Sequence, residues 1–380
     1  MKKTAFSFLL LAIFSAAIAQ WSNDPGLANN LVIKTSSRIF PEQTFSDGAG
    51  GAFLFFRTYQ PGIQVNSIWV QRINSQGNLI WPLPVLISTS NGFRGYEMQP
   101  DNAGGVIVIF SVSNNSSYFS DSISIQRIDG QGNKRWGEKG TFLGLGSINS
   151  SSNFVVNQQN VFAFWSVNNN SNSNLILTSQ CLNIDGVKQF VSDVITVPGS
   201  ISQRFQGAVT DGRAGAVAFF SNSAGTSGYK IYSQRIDSTG SLRWSDTGKL
   251  ITPFVGTQYI VGNLLPDKKG GSVFCYIEIP ATDNNFLKIQ RIDSNGNKLW
   301  LPEGKLVRNS VTLPTSTVFL SNDSIDRFNV FWVVQQNSLY LPGLSGQRLD
   351  GITGNALWAA DGIQFLSILR GADFCTDNSI

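Results

Sequence analysis

The chain contains no histidine. That removes Ser–His–Asp and Cys–His nucleophilic schemes and any histidine-ligated metal. Cysteine is nearly as scarce: Cys181, Cys275 and Cys375 are an odd number whose spacing matches no metal motif and gives no disulfide framework. Each falls in an apolar run, so free buried thiols are expected, with a single optional disulfide as the other reading. Charge is sparse, at 14% of 380 residues, and 28 Lys and Arg against 24 Asp and Glu leave a formal +4. The basic residues form no cluster, which speaks against nucleic acid as a partner. Beyond the first 19 residues no apolar run is long enough to cross a bilayer.

Those first 19 residues read as an export signal. Lys2 and Lys3 form the charged end, residues 6–14 the apolar stretch, and Ala17-Ile18-Ala19 a small-residue cleavage site before Gln20. No cysteine follows the site, so no lipid anchor is expected. The product would be secreted or extracytoplasmic, with residues 20–380 as one domain. With 42% apolar residues in short alternating runs, an ordered β protein is expected rather than a disordered stalk.

The dominant feature is a repeat. Copies of Gln-Arg-Ile-Asp, a glycine turn and a large aromatic start at Gln71, Gln126, Gln234 and Gln290, with a degenerate copy at Gln180 and a longer one at Gln347. Successive glutamines lie 55, 54, 54, 56 and 57 residues apart. So regular a period means one supersecondary unit in tandem. In the second unit, residues 96–100 lead through Asp101-Asn-Ala-Gly-Gly105 into the β-branched run 106–112. An Asn/Ser-rich loop (113–120), the alternating segment 122–128 and a turn at 129–133 then lead to Trp136. These are four antiparallel strands joined by two tight hairpins and one longer loop. The predicted fold is all-β, a β-propeller of four-stranded blades with six complete repeats of about 55 residues. Trp21 with Leu31-Val32 resembles a fourth strand, and residues 374–378 a first strand and turn. Two readings follow: a six-bladed ring with both tails at the closure seam, or a seven-bladed ring truncated in its last blade.

The pattern Asp-Gly-x-Gly-Gly followed by Gln-Arg-Ile-Asp-x-x-Gly-x-x-x-Trp, over about residues 40–360, resembles the repeats of secreted and cell-surface β-propeller proteins of Bacteroidota. The resemblance implies export and a propeller, and lends no catalytic residues. Those proteins often carry a C-terminal sorting domain; the chain stops at Ile380 without one, which counts against surface anchoring and adds weight to truncation, while six closed blades remain the expected ring. The phrase from Leu349 to Trp358 resembles the tryptophan-docking motif of quinoprotein-type propellers, in which the indole packs between blades near a neighbour's glycine. Trp81, Trp136, Phe190, Trp244, Trp300 and Trp358 are expected in that structural role, with no quinone or other cofactor.

Arg72, Arg127, Arg235, Arg291 and Arg348 follow the repeated glutamine. Strand alternation puts Arg127 on the face of Ile123 and Ile125, and Arg291 with Leu287 and Ile289. An arginine on an apolar face needs a partner. In the third unit Cys181 replaces the arginine and Asn157 the hairpin aspartate, so both charges vanish together. The expected arrangement is an Arg–Asp staple using Asp47, Asp101, Asp211 and Asp267; an anion site is the alternative. The Asp-x-x-Gly-Asn turns, such as 293–297, offer one carboxylate each, too few for calcium, and no metal site is expected.

A binding propeller without chemistry of its own is the leading functional expectation, its partner an unidentified glycan or protein and its state monomeric. The varied loops between second and third strands (58–66, 113–120, 168–174, 222–229, 280–285 and 335–346) gather on one face, where Tyr59, Tyr118, Tyr229 and Tyr340 are candidate contacts. The alternative is a polysaccharide-active enzyme, a glycoside hydrolase or lyase, with paired carboxylates at the channel. Outside the turns the acids are Glu42, Glu97, Asp121, Glu278 and Asp283, with no recognisable pair among them. Glu278, after the apolar run 273–277, is either an acid whose pKa burial raises or simply the strand's end.

Overall fold

The structure is a computed structural model. It describes residues 35–113, 121–148, 153–157, 160–169, 174–195, 202–223, 229–245, 247–252, 257–280, 285–300, 303–310, 318–323, 326–336, 341–360 and 362–366. The export segment, Trp21, the 374–378 segment, Cys375, Asp283, Tyr118 and Tyr340 lie outside these residues.

Six four-stranded sheets follow one another along the chain, and each is a meander whose strands pair in sequence order. The second blade is typical: Phe93–Pro100, Val106–Val112, Asp121–Ile128 and Thr141–Gly146. Its second strand reads Val-Ile-Val-Ile-Phe-Ser-Val and is buried along nearly its whole length, because neighbouring blades cover both faces. Its third strand keeps the alternation of a half-covered strand, buried residues trading with half-buried ones until Gln126. Five apolar cores, each shared by two consecutive blades, join the six sheets. Phe53 and Val70 of the first blade meet Val106 and Val108 of the second, for example, while Cys275 and Ile289 of the fifth meet Val330 and Trp332 of the sixth. Successive four-stranded antiparallel sheets packed face to face are the blades of a β-propeller.

The repeat motif is spent on holding this arrangement. In the first hairpin one carboxylate oxygen caps the turn: Asp101 Oδ1 accepts the N–H groups of Ala103 at 2.8 Å and Gly105 at 2.7 Å. Asp47, Asp211 and Asp267 do the same. The closing residue is glycine because a Cβ on Gly105 would sit 2.2 Å from the Ile128 carbonyl oxygen. The repeated glutamine is buried, and its side chain ties the third strand to the start of the fourth. Gln126 Oε1 accepts the Trp136 N–H at 3.0 Å and Gln126 Nε2 donates to the Gly137 carbonyl. The aromatic then crosses to the next blade. Trp136 Nε1 donates to the Ile184 carbonyl at 2.9 Å while its ring covers Gly186, where a Cβ would lie 2.5 Å from it.

Trp81, Trp244 and Trp300 repeat this contact on Gly130, Ser294 and Ile352, and Phe190 covers Gly240. Trp358 differs. It is half-buried and packs within its own blade, on Phe365 and beneath the Arg348 guanidinium. The copy whose sequence most resembles the docking motif is therefore the one whose described contacts stay at home.

In the first and third blades the connection between second and third strands is shorter than the Asn- and Ser-rich composition suggests. In the first blade Ala52–Gln60 and Val65–Ile73 pair out to Gln60 and Val65, and in the third the ladder reaches Asn169 and Asn174. Polar composition signals solvent, and an extended hairpin tip satisfies its backbone as well as a loop does.

The turn aspartates set the acid stability. Asp47, Asp129, Asp237, Asp293 and Asp326 all sit below the ordinary carboxylate range: burial pushes each upward, and hydrogen bonds from N–H donors, from the Thr239 hydroxyl in the case of Asp237, and nearby cationic side chains outweigh it. Asp350 is lowered by its backbone and side-chain bonds with Thr353. A depressed folded-state pKa gives stability that is complete above the unfolded value, about 3.9, and is lost as pH falls through the folded one. No histidine titrates between about pH 5 and 8. The melting temperature, followed by circular dichroism, is expected to be flat across that range and to fall below about pH 4.

Candidate functional site

The two ends of the blade stack differ. At one end lie the tight hairpins and the arginines. Arg72 meets Asp47 at 2.8 Å, Arg127 meets Asp101 at 2.8 Å, Arg235 meets Asp211 at 2.7 Å and Arg291 meets Asp267 at 3.1 Å. In each pair the aspartate uses Oδ2 for the arginine and Oδ1 for its own turn. Arg72 Nη1 also donates to the Gly130 carbonyl at 3.2 Å, in the next blade, and Arg291 Nη1 to that of Gly351. Arg348 has an amide in place of a carboxylate, donating to Asn329 Oδ1 at 2.7 Å. In the third blade Cys181 is fully buried, and Asn157 Nδ2 donates onward to the Gly215 carbonyl at 2.6 Å.

Arg72, Arg127 and Arg135 border a cavity of about 460 Å³ between the first two blades. Their charges are matched there by Asp47, Asp101 and Asp129, so the cavity offers an anion little uncompensated charge. The turn aspartates read against calcium are caps. Asp293 Oδ1, for instance, accepts from Asn295 and Asn297 at 2.8 Å each.

At the other end are the connections between second and third strands. Tyr59 lies near the end of Ala52–Gln60, opposite Asn66, and Tyr229 opens Tyr229–Ile236, opposite Ser223. Both are half-buried strand residues. They belong to the first and fourth blades and are not brought together. Arg204 lies over the Tyr229 ring, 5.7 Å from its centre.

The acids outside the turns are engaged. Glu42 pairs with Arg57 at 3.2 Å, and buried Glu97 accepts from Gln99 and from the Asn153 backbone at 2.7 Å each. Asp121, fully buried, faces Arg94 at 3.5 Å. Glu278 belongs to a cluster that the sequence did not reveal. Lys288 Nζ lies 2.8 Å from Glu278 Oε2 and 3.1 Å from Glu303 Oε2, and the Tyr276 hydroxyl donates to the Glu303 carbonyl. Burial, and then the charges of Glu278 and Glu303, push the Tyr276 phenol well above its ordinary range. With Phe286, Gly304 and Leu306, the charged side chains of Glu278, Lys288 and Glu303 border a cleft of about 390 Å³.

The thiols take no part. Cys181 and Cys275 are unpaired and buried. Burial pushes Cys181 up to about 12 and Cys275 higher still, so neither is a nucleophile near neutral pH.

No protein-family model matches the chain, and no curated protein does. Solved structures do. A protein of unknown function from Dyadobacter fermentans is 11% identical with a TM-score of 0.46, over 84% of this chain and 96% of that one. The β-propeller domain of the Trilobed protease from Pyrococcus furiosus is 9% identical with a TM-score of 0.40, over 82% and 79%. The SapL1 lectin, solved with alpha methyl fucoside, is 12% identical with a TM-score of 0.40, over 90% and 99%. At such identities no ligand and no activity passes from these proteins to this chain.

Proposed function

We propose that the chain is an exported propeller that binds a glycan or protein partner and performs no chemistry of its own. The contrast between its two ends carries this reading. At the hairpin end the repeated side chains are committed to turn caps, ion pairs and contacts with the next blade. At the opposite end the side chains vary from blade to blade and are not dictated by the repeat, which is where repeat proteins place recognition. Export rests on residues 1–19, and the resemblance to secreted Bacteroidota propellers agrees with it.

The enzymatic reading needs two carboxylates flanking a substrate bond, with space between them. Glu278 and Glu303 come together, but the Lys288 ammonium fills the space between them. The test is a glycan array and a protein pull-down beside a polysaccharide turnover screen, using the parent and a variant with Tyr59, Tyr118, Tyr229 and Tyr340 all changed to alanine. Binding without turnover is expected, weakened about tenfold or more in the variant while its melting temperature stays near the parent's. Turnover by the parent would overturn the non-catalytic reading. Unchanged binding by the variant would overturn the tyrosine site.

A further inference from the structure

The repeat supplies its own control for the cleft on the fifth blade. Tyr276 stands opposite Lys288 in the ladder between second and third strands. The same rung is Phe56 with Trp69, Phe110 with Ser124, Trp165 with Thr178, Phe220 with Tyr232 and Trp332 with Ser345 in the other blades. Only the fifth blade has a hydroxyl on that aromatic and a cation opposite it. Glu278, opposite Phe286, likewise stands where the first, second and third blades carry Thr58, Val112 and Val167. Five blades build this rung without charge, so the fold does not require one there. Burying a charged cluster where an uncharged pair suffices is no route to stability. The Glu278 side chain is nonetheless only 4% exposed and that of Lys288 15%, while that of Glu303, at 41%, opens to solvent.

We propose that this cleft is a saccharide-binding subsite, distinct from the tyrosine positions and independent of them. Its polar floor runs acceptor, donor, acceptor, from Glu278 through Lys288 to Glu303. Its walls are half-buried Phe286 and exposed Leu306. Vicinal hydroxyls of a pyranose each donate and accept one hydrogen bond, so they donate to the carboxylates while accepting from the ammonium. The C–H face of the same ring covers the phenyl and leucine side chains. A carboxylate ligand would meet two glutamates, and a metal ion would compete with Lys288 for both. An uncharged polyol suits the set as it stands.

The experiment is saturation-transfer NMR and titration calorimetry with methyl pyranosides of glucose, galactose, mannose, xylose and fucose, up to about 50 mM. At least one is expected to bind the parent. Phe286→Ala, at a half-buried side chain, and Glu303→Gln, at one open to solvent, should each weaken it about tenfold or more, Glu303→Gln at the parent's melting temperature. Lys288→Met should abolish it. The four-tyrosine variant should bind the pyranoside as the parent does, so failure of the tyrosine site and failure of this cleft are distinguishable. No binding by the parent to any of the five, or binding unchanged in Phe286→Ala and Glu303→Gln, would overturn the proposal.

Discussion

Replacing Arg291 by alanine is expected to lower stability by about 3 to 5 kcal/mol, because it removes one partner of a buried ion pair and leaves the other. The Arg291 side chain is 3% exposed and that of Asp267 is 2%. The same guanidinium reaches Asp326 at 3.2 Å and the Gly351 carbonyl, both in the sixth blade. Losing it therefore strands a carboxylate within the fifth blade and removes the guanidinium contacts that add to the apolar core shared by the fifth and sixth blades. Arg127→Ala strands fully buried Asp101 in the same way, and a loss of similar size is expected.

The third blade is the control. Cys181→Arg would put a guanidinium into a fully buried site in the blade whose first hairpin carries Asn157 in place of an aspartate, so with no carboxylate to meet the charge it should destabilise rather than restore a missing pair. A double change, Arg291→Met with Asp267→Asn, should recover part of the Arg291→Ala loss, because no uncompensated charge remains. Urea unfolding of the four variants beside the parent decides the matter. An Arg291→Ala protein with the parent's midpoint would show that the pair is bystander chemistry.

The blades were legible in the sequence because the repeat isolates what geometry demands. Glycine recurs at 51, 105, 215 and 271 because a Cβ there would strike the carbonyl oxygen of the third strand. Aspartate recurs before it because one carboxylate can cap a turn with one oxygen and hold an arginine with the other. The glutamine was legible as a marker but not as a part. Its hydrogen bonds run to a backbone about ten residues on, and spacing alone does not reveal which atoms meet.

The Glu278, Lys288 and Glu303 cluster was hidden for a different reason. Its members come from the second strand, the third strand and the turn before the fourth, and strand register brings them together. A signal was present. Aligning the fifth repeat with the others shows a tyrosine where they have phenylalanine or tryptophan, and a lysine two residues before the repeated glutamine. Tyr59 and Tyr229 are named from composition and loop position, and strand pairing that reaches to the blade tips leaves them half-buried.

Trp300→Ala is expected to cost about 3 to 5 kcal/mol, the usual cost of emptying a large aromatic site in a core that cannot collapse. Trp300 is 1% exposed, packs edge-on to Phe328 at 5.9 Å and donates to the Ile352 carbonyl at 3.2 Å. Trp358→Ala, at the matching position of the sixth blade, should cost only about 1 kcal/mol, since that ring is half-buried on its own sheet. The same residue in the same motif thus gives two outcomes, separated by burial and by the docking contact.

A second variant isolates that contact. A Cβ on Gly354 would lie 2.8 Å from the Trp300 ring, at a backbone φ of +69°. Gly354→Ala in the parent therefore carries both a steric cost and the left-handed backbone cost, the latter about 1 to 2 kcal/mol. In the Trp300→Ala background the clash with the indole disappears, and the backbone part remains together with the contact to Lys305 Cγ, also 2.8 Å away. The two changes together should then cost less than their separate effects combined, as expected for residues that share one contact. Strict additivity in urea unfolding would mean that the indole does not rest on the neighbouring turn, and the account of how each blade grips the next would fail at its central joint.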